Sequence, residues 1–314
     1  MRTRLLAAGL VLASSLVVAA DPPASGLVQV GSFGANPGAL AMYTYTPSGL
    51  AAGRPLVVAL HGCTQTAADY YTHSGWPELA DRWRFEVVFP QQSSANNLMR
   101  CFTWFSTADD TRGNGEAASV KSMVDKAVAD HGSDPARVYV TGLSAGGAMT
   151  ADLLAAYPDV FAGGAINSGL PAQCATTQVQ ATNCQMNNQN LTPAQWASRV
   201  RAQDPGYTGP WPRVAIWQGS ADYIVYPVNG TELRDQWTAV HGLSQTPTST
   251  QTLPGGTTLT AYGDKVQLYS IAGMGHGTAV DPGTGTTNCG STGAYFLAAI
   301  CSSYYTGVFF GLDG

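Results

Sequence analysis

Charge is scarce in this 314-residue chain: Lys and Arg number 15, Asp and Glu 20, and only Lys121, Lys126 and Lys265 are lysines. Without Arg2 and Arg4 the balance is 13 basic to 20 acidic residues, about −7. That excess disfavours nucleic acid, an anionic membrane surface and polyanionic substrates as partners. Long apolar runs are as few. Only 5–20 raises the question of a membrane span, and it is short for a bilayer and interrupted by Ser14 and Ser15. Preceded by Met1-Arg2-Thr3-Arg4 and ending in Val18-Ala19-Ala20, it reads as a secretory signal peptide cleaved near Ala20, so a secreted protein is expected. No arginine pair points to the twin-arginine route. Spacings of the C-x-x-C or H-x-x-x-H kind are missing, which argues against a metal site. Repeats, charge blocks and composition breaks are missing too. The expectation is therefore a signal peptide at 1–20, a short linker at 21–26 and a single domain at 27–314, with no C-terminal substrate-binding domain.

Cysteine, by contrast, is present six times, all after the signal segment: Cys63, Cys101, Cys174, Cys184, Cys289 and Cys301. An even count in a secreted chain argues for disulfides. Sequence does not fix connectivity; the expected pairing is Cys63 with Cys101, Cys174 with Cys184, and Cys289 with Cys301.

The rest of the chain is organised around RVYVTGLSAGGAMTADLLAAY at 137–157. A β-branched and aromatic run at 138–141 precedes an Ala/Leu-rich stretch with helical spacing, so Gly142-Leu143-Ser144-Ala145-Gly146 falls on a strand-to-helix turn. Small neighbours let strand and helix approach closely, and the bend pushes the Ser144 hydroxyl into the open. The bare G-x-S-x-G pattern is weak in a chain with 36 glycines; its flanking strand and helix make Ser144 a candidate nucleophile. Further strands are expected at 42–45, 56–60, 87–89, 164–167, 214–218 and 266–271. Helices are expected at 77–83, 116–129, 148–157, 193–202 and 231–240. This alternation, with near-continuous apolar strands, implies an α/β domain with a mostly parallel sheet covered on both faces. Ligands then lie at the carboxyl ends of the strands. The Thr/Ser/Gly/Pro-rich stretches 244–258 and 281–293 read as surface loops or hairpins, and 174–211 as a lid or a plain surface excursion.

A nucleophilic serine needs a base, and the base an orienting carboxylate. Among five histidines, His276 follows the 266–271 strand within a glycine-rich turn that lets an imidazole swing toward a serine. His241 suits a helix cap, His73 and His131 precede the serine, and His61 belongs to a separate motif. For the acid, Asp222 ends the small-residue turn after the 214–218 strand. Asp204 precedes that strand, Asp235 reads as the exposed face of a helix, and Asp264 as part of a hairpin turn. The turn after 56–60, Leu60-His61-Gly62-Cys63, places the Cys63 N–H where it can act with that of Ala145 on an oxyanion. Tyr70, Tyr71, Phe105, Tyr223 and Tyr226 suit either ordinary core or the wall of an apolar cleft.

With these pieces in place, the sequence resembles the extracellular poly(3-hydroxybutyrate) depolymerase family of α/β-hydrolase esterases, whose relatives include feruloyl and acetylxylan esterases. The matching stretches are LHGCTQ at 60–65, CFTWF at 101–105 with RGNGE at 112–116, GLSAGG at 142–147, GMGHGT at 273–278 and ICSSYY at 300–305. The resemblance implies a single-domain α/β-hydrolase fold, a Ser144, Asp222 and His276 triad, the Cys63 N–H in the oxyanion hole, and Trp104 in the wall of the acyl-binding cleft. No metal or organic cofactor is implied. The oxyanion motif precedes the serine, as in the non-permuted branch. Phe102 stands where relatives often carry tryptophan. The absence of a granule-binding domain turns the expectation from crystalline polymer toward amorphous polyester, oligomers or soluble esters.

The function expected is a secreted serine esterase acting on polyester or oligoester bonds of the poly(3-hydroxybutyrate) type through an acyl-enzyme. A feruloyl or acetylxylan esterase ranks second and a poly(aspartate)-type hydrolase third. A non-catalytic binding protein of the same fold is the reading from another class.

Overall fold

A computed structural model describes residues 26–314. The expected signal peptide and all but the last residue of the expected linker lie outside the described residues. The chain begins with β1 (Val28–Val30), β2 (Ala41–Tyr45), β3 (Leu56–Leu60), α1 (Ala67–His73), α2 (Trp76–Trp83), β4 (Glu86–Gln91) and α3 (Gly115–His131). Next come β5 (Val138–Leu143), α4 (Ala145–Ala156), β6 (Gly163–Asn167), α5 (Gln178–Met186), α6 (Pro193–Arg201), β7 (Arg213–Gly219) and α7 (Val228–Val240). It ends with β8 (Ser249–Leu253), β9 (Thr257–Tyr262), β10 (Val266–Ile271), β11 (Thr278–Val280), β12 (Phe296–Ala298) and α8 (Ser302–Phe310).

Ten strands form one sheet in the order β1-β2-β4-β3-β5-β6-β7-β10-β9-β8. From β4 to β10 in that order all neighbours are parallel, while β1 and β2 at one edge and β9 and β8 at the other pair antiparallel. The two-residue period of the strands divides the core. Leu56, Val58 and Leu60 of β3, with Val138 and Val140 of β5, face α3, α4 and α7 through Met123, Leu154 and Trp237. Val57 and Ala59, with Tyr139 and Trp217, face the other layer, where α1, α2 and α8 contribute Tyr70, Leu79 and Phe310. Apolar burial on both sides is why β3 and β5 read as continuous hydrophobic runs. The nucleophile helix α4 is buried at every position, so it has no polar face to show in sequence.

Four helix starts lie upstream of their expected positions, that of α2 by one residue at Trp76. One of the two largest shifts is at α4, which begins at Ala145 rather than 148, because Gly146 and Gly147 form its first turn in spite of their poor helix propensity. α7 begins at Val228 rather than 231, and α3 at Gly115. The 244–258 stretch contributes one arm of the β8–β9 hairpin. The 281–293 stretch is closed by an antiparallel bridge between Asp281 and Cys289. Asp235 is half-buried against Arg234 rather than on an open helix face. His241 does cap α7, but its ring donates to the carbonyl of Pro212 rather than to its own helix.

The parallel run decides where the loops gather. The turns after β3, β5, β7 and β10, carrying Cys63, Ser144, Asp222 and His276, all leave the carboxyl edge of the sheet.

Candidate active site

Ser144 joins β5 to α4 with φ 57° and ψ −117°, outside the region a side chain adopts freely. Two contacts hold it there. Its N–H donates to the carbonyl of Asn167 at 2.9 Å, and the Asn167 amide donates back to Thr141 Oγ1 and the Gly142 carbonyl at 3.2 Å. The turn also needs two positions with no side chain. A methyl at Gly142 would strike the carbonyl of Gly146, and one at Gly146 the carbonyls of Leu60 and His61. The G-x-S-x-G spacing is therefore a packing requirement: the start of α4 rests directly on the backbone of the turn after β3.

Asp222 and His276 meet because β7 and β10 are adjacent and parallel. Their loops are stitched by Ser220 N–H to the Ile271 carbonyl and Ala221 N–H to the Met274 carbonyl, both 2.9 Å. Asp222 Oδ1 accepts the N–H groups of Ile224 and Val225 at 2.9 Å, which fixes the carboxylate. Its Oδ2 lies 2.8 Å from His276 Nδ1. An ionised carboxylate only accepts, so Nδ1 carries the proton and Nε2 is left as an acceptor. Both side chains are buried, and the edge of the Tyr295 ring lies over the imidazole, with centroids 5.9 Å apart.

Across the cleft, Cys63 follows β3 and is bonded to Cys101. Neither the Cys63 nor the Ala145 N–H donates a hydrogen bond among the described residues. Two unpaired donors near one serine are what a developing oxyanion requires. The turn that presents Cys63 is held by His61, fully buried against Phe102. His61 Nε2 accepts the Gln92 N–H at 3.1 Å, so Nδ1 donates to the Gly62 carbonyl at 2.8 Å. Burial pushes this imidazole down to about 4, keeping it neutral. Gln92 in turn donates to Glu116 and to the Cys101 carbonyl. Glu116 also accepts the N–H and the hydroxyl of Thr103, next to Trp104. Burial pushes its carboxyl up to about 7 against the pull of these donors.

A cavity of about 140 Å³, lined by Cys63, Met99, Ser144, Gln185, His276 and Tyr295 among others, opens on the reactive groups. A second, of about 200 Å³, shares Cys63, Met99, Ser144 and Gln185 with it and runs on to Trp104, Phe105 and Leu170. Ser144 sits where the two lobes join. A larger hollow of about 470 Å³ is lined by polar groups such as Gln180, Asn183 and Arg199 and contains none of the sequence-predicted reactive residues.

Ser144, His276, Cys63, Ala145 and Trp104 thus border one cleft, with Asp222 behind the histidine. Phe102 is fully buried beneath the oxyanion turn, so its difference from tryptophan falls outside the cleft. Of the aromatic candidates, Tyr70 is core, Tyr71 is partly buried against it, and Phe105 lines the cleft. Tyr223 is 75% exposed, neither core nor cleft wall. The 174–211 segment contributes a wall, since Gln178, Ala181 and Gln185 of α5 face the cleft and the Cys174–Cys184 bond fastens that helix. The third bond joins Cys289 to Cys301 beside the loop that carries Tyr295.

Sequence reasoning missed Met99, Gln185, Ile224 and Tyr295 in the lining, and the His61, Gln92 and Glu116 chain behind it. It also missed a buried acid pair. Asp110 is fully buried with neither carboxylate oxygen hydrogen-bonded among the described residues, and Asp152 of α4, beside it, accepts from Gln173 N–H and Nε2. Desolvation is the first cause of the rise in both; repulsion by Asp110 adds to it at Asp152, and repulsion by Asp109 and Glu116 at Asp110, which is pushed up to about 7. Two adjacent buried carboxylates cannot both ionise cheaply, so the pair holds a proton.

Residues 40–254 match the family model for the esterase PHB depolymerase. The chain is 49% identical to a poly(3-hydroxyalkanoate) depolymerase C of Paucimonas lemoignei, covering 100% of this chain and 77% of that protein. It is 39% identical to a feruloyl esterase B of Talaromyces funiculosus, covering 82% of this chain and 75% of that one. Among solved structures, an acetyl xylan esterase from Aspergillus awamori superposes with a TM-score of 0.78 at 30% identity, over 92% of this chain and 100% of that one.

Proposed function

The chain belongs to the esterase PHB depolymerase family and is a carboxylic ester hydrolase of the α/β-hydrolase fold, and from that premise we propose that Ser144, His276 and Asp222 form its triad and that its substrate is a polyester or oligoester of 3-hydroxyalkanoic acids. The observation that carries the mechanism is the 2.8 Å contact between His276 and a fixed Asp222, with the histidine and Ser144 on the wall of one cavity.

In this mechanism His276 Nε2 takes the Ser144 proton as Oγ forms a bond to the ester carbonyl carbon. The carbonyl oxygen becomes an oxyanion and is held by the N–H groups of Cys63 and Ala145. Collapse breaks the bond to the alkoxy oxygen, which leaves as an alcohol after receiving the proton from His276. Water, deprotonated by the same Nε2, then attacks the acyl-Ser144 ester. The acid departs and the serine recovers its proton. Asp222 keeps its charge throughout and fixes the imidazole tautomer. Trp104 and Phe105 line the lobe that takes the acyl portion.

The 49% identity to a depolymerase over the whole chain supports the polyester reading. The likeness to an acetyl xylan esterase favours a plant-cell-wall ester as the second reading. Three disulfides suit an oxidising compartment and support an extracellular protein. The test is clearing of an amorphous poly(3-hydroxybutyrate) suspension by the purified protein beside its Ser144→Ala variant. Clearing by the unaltered protein alone supports both parts of the proposal. If the unaltered protein clears nothing but hydrolyses feruloyl esters or acetylated xylan, the polyester reading is wrong. Appreciable esterase activity in Ser144→Ala defeats the triad.

A further inference from the structure

Four residues line both lobes of the cleft: Cys63, Met99, Ser144 and Gln185. Cys63 is bonded to Cys101, Met99 is apolar, and Ser144 is the nucleophile of the proposed triad. Gln185 is left, a neutral amide that can donate and accept, beside the junction where a scissile ester must lie. It is half-buried, and its amide takes no hydrogen bond among the described residues. Much of the wall around it is apolar, with Met99, Ile224 and Tyr295 on one side and Trp104, Phe105 and Leu170 on the other.

The backbone that carries this amide is anchored. Gln185 lies in the last turn of α5, and its carbonyl accepts the N–H of Tyr226 at 2.8 Å and Nδ2 of the fully buried Asn229 at 3.0 Å. The preceding residue, Cys184, is fully buried and bonded to Cys174. A side chain on a fixed backbone has less freedom to lose when it meets a ligand, which is how a binding group is preorganised. The other amides of the acyl lobe suit the role less. Asn97 Oδ1 is committed to the N–H groups of Met99 and Cys101, and Gln178 stands exposed at the start of α5.

A polyester of 3-hydroxy acids offers this amide something that a simple ester lacks. Two carbons beyond each ester carbonyl its acyl chain carries an oxygen, which opens the next ester group. An alkyl chain in the same place has only methylenes, and it would strip water from the Gln185 amide without replacing the lost hydrogen bond. We propose that Gln185 is a specificity-determining residue, donating from Nε2 to the ester group next to the scissile one on the acyl side, so that the enzyme selects polyester over alkyl ester. This rests on the polyester reading of the cleft and names the group that reads the repeat. Gln185 binds substrate and moves no proton, so its effect falls on discrimination between esters rather than on the triad.

Two p-nitrophenyl esters of matched length isolate that contact. In p-nitrophenyl 3-acetoxybutyrate a second ester follows the scissile one with the spacing of the polymer; p-nitrophenyl 3-methylhexanoate has methylenes in its place. Release of p-nitrophenol reports the same scissile bond in both. The unaltered protein is expected to favour the first in kcat/KM by about tenfold or more. Gln185→Met, of similar length but unable to donate, should erase that preference by lowering kcat/KM on the acetoxy ester, while the methylhexanoate stays within about twofold of the unaltered value or improves. Gln185→Glu, which accepts but does not donate when ionised, should erase it too. A preference that survives in Gln185→Met or in Gln185→Glu overturns the proposal and leaves the polyester reading standing. An equal loss on both esters also overturns it and makes Gln185 a structural prop of α5. If the unaltered protein shows no preference yet clears amorphous poly(3-hydroxybutyrate), the proposal alone fails; if it shows no preference and clears nothing, the polyester reading fails with it.

Discussion

The backbone at Ser144 stores strain that can be measured apart from catalysis. A non-glycine residue held at φ 57°, ψ −117° costs about 1–3 kcal/mol. The Ser144 side chain makes no capping hydrogen bond, so truncating it forfeits none. Ser144→Ala removes the hydroxyl and keeps the strain; Ser144→Gly removes both. Glycine loses about 0.5–1 kcal/mol more conformational freedom on folding than alanine. The net expectation is a Ser144→Gly protein about 1 kcal/mol more stable than Ser144→Ala, or roughly 2–4 °C in Tm for a domain of this size class. Both variants should be inactive. Scanning calorimetry at one scan rate, with the disulfides intact, provides the comparison. A Ser144→Gly protein no more stable than Ser144→Ala would show that the elbow is not strained in the folded chain, and the account of why glycines surround it would fail.

Two further predictions concern the acids. In Asp222→Asn, the two N–H donors at Oδ1 keep the amide oxygen in place and turn the NH2 toward His276 Nδ1. The imidazole must then accept at Nδ1 and carry its proton on Nε2, so kcat for a soluble ester should fall about 10⁴-fold with the fold unchanged; a loss under tenfold would remove Asp222 from the triad. For the buried pair, Asp110 has a folded-state pKa raised from 3.8 to about 7, so its contribution is present below pH 4 and is lost as the pH rises through about 7. Asp109 and Glu116 also bear on it and act in the same direction, while Gln173 opposes. Asp110→Asn, which cannot ionise, should therefore gain stability relative to the unaltered protein between pH 5 and 9, by about 1 kcal/mol or more; Tm against pH for both proteins checks this, and parallel curves would refute it.

The parallel sheet was legible because β3, β5 and β7 are short apolar runs bounded by turn residues, and the convergence of Cys63, Ser144, Asp222 and His276 because they follow β3, β5, β7 and β10 in turn. The start of α4 was not, since propensity argues against glycine in a first turn and only the nearby carbonyls of Leu60 and His61 explain it. Helices α1, α5 and α8 also escaped. α5, QVQATNCQM, buries little more than Ala181 and Cys184 and so lacks an apolar stripe. His61 stood in a conspicuous motif, yet its partner, the Gln92 N–H, is 31 residues away and has no sequence signature. Carboxylates such as Asp110 and Glu116 read as surface in one dimension; only the fold shows them sealed inside.

Each of the three disulfides fastens a segment that reaches the cleft. One fastens the turn bearing Cys63, one the α5 wall, one the segment bearing Tyr295, and none crosses the sheet. Scaffold and mouth therefore rest on different chemistry: the sheet is held by its buried apolar faces, while each wall around the serine carries a disulfide besides its hydrogen bonds. Reduction is therefore expected to loosen the walls of the cleft before the sheet, and to be read first in activity.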